Sequence, residues 1–171
     1  MILAGAEAPA GKLVNTPVSL VDVYPTILEG VGAPAVDKDL PGCSLFGLLK
    51  EPDDRTRIVF SEYHAAGSPS ASYMLRKGRF KFIYYVGYTP ELFDLEVDPE
   101  ETRNLAGEPE YAATARDLET ELRKIVDPEK EDARANEAQR KLIESRGGPE
   151  EVLAKLAMKK LYTPVPDGTI S

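Results

Sequence analysis

Apolar residues recur along the 171-residue chain with two different periods, and the change between them falls near Glu108. Before that point, Arg57-Ile58-Val59-Phe60-Ser61-Glu62-Tyr63 is rich in β-branched and aromatic residues and predicts a buried strand. Ala71 to Tyr85 holds two further strand-like runs, Tyr73-Met74-Leu75-Arg76 and Phe80-Lys81-Phe82-Ile83-Tyr84-Tyr85, joined by Lys77-Gly78-Arg79. Gly78 supplies the positive φ that a tight hairpin turn requires. Phe80, Phe82 and Tyr84 alternate with Arg79, Lys81 and Ile83, so one face of that strand is apolar and the other mixed. Glu91-Leu92-Phe93-Asp94-Leu95 predicts a short fourth strand.

After Glu108 the period is helical. Tyr111, Ala115, Leu118, Leu122 and Ile125 recur at spacings of four, three, four and three, which puts them on one face of an amphipathic helix. Asp127-Pro128 ends that helix and offers a cap and a first-turn proline to the next. Glu129 to Arg146 has only Ala133, Ala138, Leu142 and Ile143 to bury, and so predicts an exposed helix or one leaning on a partner. Gly147-Gly148 breaks it. Pro149 opens a last helix, with Val152, Leu153, Leu156 and Leu161 on one face, and the Pro- and Gly-bearing tail from Tyr162 is expected to be extended.

At the other end, Met1-Ile2-Leu3-Ala4 reads as the end of a strand, and Gly5 to Lys12 as a loop. If Asp22 is an N-cap, Pro25 falls in the first helical turn, where its missing N–H costs nothing. A helix from Val23 to about Val31 follows, closed by Gly30 and Gly32. Leu40-Pro41-Gly42 is a turn, and Ser44 caps a short helix through Leu49. The sum is an α+β fold: a small antiparallel sheet of about four strands packed with helices, then a helical C-terminal segment. No internal repeat is present.

Composition narrows the function classes. Hydrophobic residues make up 42% and charged residues 29%, a globular mix. Lys plus Arg (21) against Asp plus Glu (29) leaves −8, which disfavours nucleic acid as a partner. The longest apolar runs, Leu45 to Leu49 and Phe82 to Val86, fall far below the roughly 20 residues of a membrane span. The first residues lack the basic and long apolar regions of a secretory signal, and a cytoplasmic location is expected. Cys43 is the one cysteine, so no internal disulfide forms.

Few residues can do chemistry. The single histidine, His64, ends the first strand beside the small-residue loop Ala65-Ala66-Gly67-Ser68-Pro69-Ser70, where a ligand can approach backbone and an imidazole can donate to an anion. A surface or structural histidine is the plainer alternative. Asp53-Asp54, in a turn with Pro52, lacks the further oxygen ligands of a metal site. Arg76-Lys77-Gly78-Arg79-Phe80-Lys81 concentrates cations at the hairpin, as edge-protecting hairpin tips do. No Gly-x-Ser-x-Gly elbow, phosphate-binding loop or dinucleotide fingerprint occurs. On residues alone this is an α+β domain without a complete active site.

The order of local patterns is more specific. TPVSLVDVYPTILEGVGAP, LPGCSLFGLL, a strand carrying SEYH, MLRKGRFKFIYY, PELFDLEVDPEETRNLA and a helix follow one another over about residues 2 to 126. This succession closely resembles the C-terminal portion of the sulfatase family, within the alkaline-phosphatase-like superfamily. The resemblance implies a large catalytic α/β domain followed by a smaller subdomain with an antiparallel sheet and a packed helix. It implies sulfate ester hydrolysis by a Cys or Ser in a Cys/Ser-x-Pro/Ala-x-Arg motif oxidised to formylglycine, with a calcium-type divalent cation. Cys43 is followed by Leu45 and Gly47 where that motif has Pro or Ala and Arg, so it is not that nucleophile, and Asp53-Asp54 lacks the family's metal context.

The expectation is therefore a C-terminal fragment with no catalytic, metal or cofactor site of its own. Residues 1–35 would be a remnant of the catalytic domain's edge, 36–126 the sulfatase C-terminal subdomain and 127–171 a helical extension and tail. Its partner would be the missing N-terminal catalytic domain, and, with apolar area left bare, a second copy as a homodimer. By the same analogy His64, with Glu62 and Ser68, are substrate-pocket candidates. A related phosphonate or phosphate ester hydrolase, or a stand-alone anion- or protein-binding module, are the alternatives.

Overall fold

The computed structural model describes residues 1–5, 8–34, 39–64 and 68–158; the Ala65–Gly67 part of the expected loop, Leu161 and the tail from Tyr162 lie outside them. The chain divides into two units, Met1–Pro128 and Glu129–Ser171.

The first unit is built on a four-stranded antiparallel meander, β1 (Ile58–Tyr63), β2 (Ser72–Lys77), β3 (Phe80–Tyr85) and β4 (Glu91–Asp94), in that spatial order. The β2–β3 hairpin closes as expected, with Gly78 at φ 58°. Its register sets Leu75 opposite Phe82 and Tyr73 opposite Tyr84, and Phe82 in turn faces Leu92. One face thus collects Tyr73, Leu75, Phe82 and Leu92. Helix α3 (Ala112–Ile125) lays Leu118 and Leu122 onto that face, and Leu105 and Ala71 complete a core closed to water. Of the apolar positions read from the helical period, Leu118 and Leu122 are buried, Tyr111 and Ala115 pack half-buried at the core's rim, and Ile125, at the helix end, faces water.

Two shorter helices precede the sheet. α1 (Val23–Gly30) follows a 3-10 turn at Leu20–Asp22 and holds Pro25 in its first turn, and α2 (Leu45–Lys50) is capped by the Ser44 hydroxyl accepting from the Phe46 N–H. The helices meet closely at Gly30, where a β-carbon would stand 3.5 Å from the Phe46 ring. One expectation fails here: Met1 to Ala4 form no strand, because no neighbouring strand among the described residues offers them hydrogen bonds. Asp22 does stand at the N-cap position of α1, but its side chain bonds no N–H of that helix; it accepts from the Ser19 N–H in a capping box on the 3-10 turn and has a further partner besides.

The second unit contains α4 and α5. α4 (Pro128–Ser145) starts at the end of the first unit and is exposed along most of its length, laced by pairs such as Arg140 with Glu137 and Glu144. It ends at Gly147 and Gly148, both at positive φ, with the Gly148 N–H returning to the Ile143 carbonyl. α5 (Pro149–Met158) follows. No helix is long and apolar enough to cross a membrane among the described residues.

Candidate functional site

Strand β1 points Glu62 and His64 to the same side, since alternate residues share a face. The pairing of Glu62 with Tyr73 in β2 brings that side against an aromatic floor. The His64 ring stands edge-on to Tyr73, with centroids 5.4 Å apart and planes at 82°. Its Nε2 lies 3.5 Å from Glu62 Oε2. Tyr73 is itself fixed from below, its hydroxyl donating to the Pro128 carbonyl at 3.1 Å. The imidazole there offers a hydrogen-bond donor or acceptor at the sheet's end. Ser68 is spent locally, donating to the Ser70 carbonyl at 2.6 Å. The structure therefore joins His64 and Glu62 over Tyr73 and gives Ser68 a turn-forming bond instead.

Two surface clefts lie elsewhere. One of about 180 Å³ is walled by Leu3, Leu13, Val14 and the α2 residues Leu45, Leu48 and Leu49. The other, of about 350 Å³, lies between the β2–β3 hairpin and α3 and carries Lys77, Asp117 and Glu121 on its walls. Neither is lined by His64, Glu62 or Ser68.

The strongest electrostatic cluster is one that pattern reading missed. Asp22 is wholly buried, and Arg57 donates to it through both ends of its guanidinium, NH2 to Oδ1 at 2.7 Å and NH1 to Oδ2 at 3.0 Å. The Ser19 N–H (2.8 Å) and the Cys43 N–H (3.0 Å) complete the carboxylate's shell, and Arg57 NH1 also reaches the Pro17 carbonyl at 2.6 Å. Burial alone pushes the Asp22 carboxyl up; the Arg57 hydrogen bonds and the two backbone N–H groups outweigh it and hold the group below the ordinary carboxylate range. Thr26 extends the knot, donating to the Asp22 carbonyl and accepting from the Leu45 N–H. Gly42 is required beside it, because a β-carbon there would sit 2.1 Å from the Val21 carbonyl oxygen. These contacts tie the 17–26 segment, the loop before α2 and the start of β1 into one piece. No local signal marks the pair, whose members lie 35 positions apart.

Cys43 borders this knot with Sγ 3.8 Å from Asp22 Oδ1. Burial pushes its thiol up, and the Asp22 carboxylate works in the same direction against Arg57. A group so disfavoured as thiolate is not set up as a nucleophile. Asp53 and Asp54 are spent on turns: Asp53 accepts from the Asn15 N–H and side-chain amide, Asp54 from the Thr56 N–H and hydroxyl. No three His, Cys, Asp or Glu side chains converge on a metal-sized space among the described residues. Among the described residues the donors do not fit a divalent cation, and Cys43, held as a thiol, does not fit the formylglycine position.

A second bidentate pair stands at the far edge of the sheet. Arg79 donates through Nε to Asp94 Oδ1 at 2.6 Å and through NH2 to Oδ2, and these bonds hold the buried Asp94 carboxyl below its usual range.

A family model described as the C-terminal domain of N-sulphoglucosamine sulphohydrolase matches residues 3–128. Arylsulfatase K of Danio rerio is 36% identical over 135 residues, covering 74% of this chain and 25% of that protein. Among solved structures, a 2-O GAG sulfatase superposes with a TM-score of 0.54 at 29% identity, over 67% of this chain and 26% of its own. The phosphonate monoester hydrolase of Agrobacterium radiobacter does so with a TM-score of 0.52 at 25% identity, over 67% and 26%. The chain thus spans about a quarter of the length of the relatives it matches.

Proposed function

Because this chain belongs to the sulfatase family, as the C-terminal domain of that fold, we propose that it serves a sulfuric ester hydrolase by packing on a catalytic α/β portion and closing one side of its substrate pocket. The observation that carries the reading is the family match over residues 3–128, which takes in α1, the knot around Asp22 and the whole sheet with α3. The chemistry agrees with a supporting role: Cys43 is held as a thiol, and Asp22, Asp53 and Asp54 are committed to an ion pair and turns. The divalent cation and formylglycine of such an enzyme would come from the catalytic portion. In this reading His64 is the pocket residue that meets an anionic substrate, with Glu62 and Ser68 as weaker contributors; the contacts of His64 with Glu62 and Tyr73 support it. A phosphonate or phosphate ester is the second reading, favoured by the likeness to the phosphonate monoester hydrolase. In the absence of a catalytic portion, bare apolar area drives weak self-association.

The test is a chimera in which this full chain replaces the C-terminal quarter of Danio rerio arylsulfatase K. Turnover of an aryl sulfate by the chimera, with none by the chain alone, supports the reading; turnover by the chain alone refutes it. His64→Ala in the chimera should raise KM about tenfold with kcat little changed, the mark of lost substrate binding. Faster hydrolysis of an aryl phosphonate than of the sulfate would move the assignment to the second reading. For the chain alone, light scattering on dilution from high micromolar concentration reads the self-association, and a strictly monomeric species contradicts it.

A further inference from the structure

The two edges of the sheet end differently. Residues along an antiparallel strand alternate between those whose N–H and C=O face one neighbour and those whose groups face the other. The Val86 N–H, donating to the Ala71 carbonyl, fixes that alternation across β2 and β3, and the Leu95 N–H, donating to the Arg79 carbonyl, agrees with it across β3 and β4. On β4 the outward residues are Leu92 and Asp94, and the chain itself meets them. The Leu92 N–H donates to Asn104 Oδ1 at 3.0 Å, its carbonyl accepts from the Leu105 N–H at 2.8 Å, and the Asp94 carbonyl accepts from the Val97 and Asp98 N–H groups. On β1 the same alternation turns the N–H and C=O of Ile58, Phe60 and Glu62 away from β2. Among the described residues nothing bonds those groups. Nor is this edge guarded in the ways sheets protect their edges: Ile58–Tyr63 holds no proline, glycine or lysine, and Ser61 to Tyr63 are exposed.

We infer that the outer edge of β1 is where a second copy of this chain pairs, joining the two four-stranded sheets into one across a two-fold axis; the inference rests on the self-association proposed above and names its surface. An antiparallel edge is complementary to itself under such an axis. With the axis at Phe60, Ile58 of each copy stands opposite Glu62 of the other, and every outward N–H and C=O finds a partner. Phe60 then faces Phe60 as a cross-strand aromatic pair, on the side of the sheet that already holds the core. The charges agree. Glu62 is the one charged residue of β1, and antiparallel pairing carries the two carboxylates to opposite ends, each toward the Arg57 end of the other copy; a parallel copy would set them side by side. An unrelated strand could satisfy the backbone groups but would not bring this matching pattern of side chains. A six-residue strand is only roughly 20 Å long, so the contact falls short of the about 800 Å² per partner of a stable dimer. The dimer is therefore weak and dissociates on dilution. Apolar area elsewhere, such as that around Ile27, adds unspecific association above it.

Sedimentation velocity of the full chain over a dilution series tests this. The parent should follow a monomer–dimer equilibrium. Glu62→Pro deletes an outward N–H and leaves the β1–β2 ladder intact; it should raise the dissociation constant about tenfold or more, while Ile27→Ser keeps the dimer. Amide exchange reads the same contact without any substitution, so a Glu62→Pro chain that fails to fold does not remove the test. The Ile58, Phe60 and Glu62 amides should exchange about tenfold more slowly at high than at low micromolar concentration, whereas the Leu92 amide, bonded to Asn104, should not change. A dimer in which those three amides exchange at one rate at every concentration overturns the edge, as does a dimer lost on Ile27→Ser, and self-association survives both results. A chain that stays strictly monomeric at high micromolar concentration refutes the self-association itself.

Discussion

The sheet with α3 and the segment that carries α1 and α2 lie in one unit, yet they bury their residues by different means. In the first, Tyr73, Leu75, Phe82, Leu92 and Leu122 are each 1% exposed or less, and what holds the layers together is apolar area. In the second, the fully buried side chain is a charged one, Asp22, while Leu20, Ile27 and Val31 face water. A helix in that condition is held on by hydrogen bonds and an ion pair rather than by its own hydrophobic side. The contrast separates a part that is complete as it stands from a part whose apolar side is still to be covered, although both were shaped within one family-wide match.

The largest break in that contrast comes from Arg57→Ala. It strands a buried carboxylate and should cost about 3–5 kcal/mol, as removal of one partner of a buried pair does. The loss should be local: amide exchange should quicken across residues 17–26 and 43–45 while β2, β3 and α3 keep their protection. Leu122→Ala should do the reverse, lowering global stability by about 2–5 kcal/mol in urea unfolding followed by circular dichroism. Uniform loss of protection in Arg57→Ala would show the two regions to be one cooperative body.

A smaller effect is expected from acid. Asp22 and Asp94 both have carboxyls held below the ordinary range, so each contributes stability that is fully present above the unfolded value near pH 4 and is lost as pH falls through the lower folded value. Stability should therefore drop below about pH 4. Asp22→Asn should flatten that dependence more than Asp94→Asn, because Arg79 on the sheet pair is 40% exposed and better screened than Arg57 at 18%. Urea midpoints from pH 2 to 6 measure it, and equal flattening by the two substitutions removes the distinction between a sealed pair and an open one.

The residues that announce themselves in sequence are those whose partners are near in the chain or whose role is repeated. The β2–β3 hairpin was legible because period-two alternation and Gly78 agree. α3 was legible because Tyr111, Ala115, Leu118 and Leu122 repeat every three or four positions. Ser44 was legible as a cap because the N–H it accepts from is two residues away. Asp22 was legible only as a capping residue, for the complementary reason. A carboxylate before a helix has a sufficient local explanation, and nothing in the neighbouring residues reveals a guanidinium arriving from the start of β1. Met1 to Ala4 misled in another way, since a strand is a relation between two segments and an apolar run supplies only one. His64 was legible as a strand-end residue, while its Tyr73 floor depends on the β1–β2 register.

The smallest effect, and the sharpest for the comparison, belongs to Ile27→Ser. A solvent-facing isoleucine contributes little to folding, so the urea midpoint of the chain alone should move by less than about 0.5 kcal/mol in free-energy terms. The helical propensity lost from Ile to Ser is also slight. Truncating Leu122 instead, on the more polar helix α3, is expected to cost several times more, and the difference between the two is the difference between a covered and an uncovered apolar side. Ile27→Ser should nonetheless reduce light scattering from the chain at high micromolar concentration, because it removes area that only another surface can shield. Destabilisation of Ile27→Ser by as much as a core truncation would mean that the apolar side of α1 is already sheltered within the chain, and the two regions would then be alike.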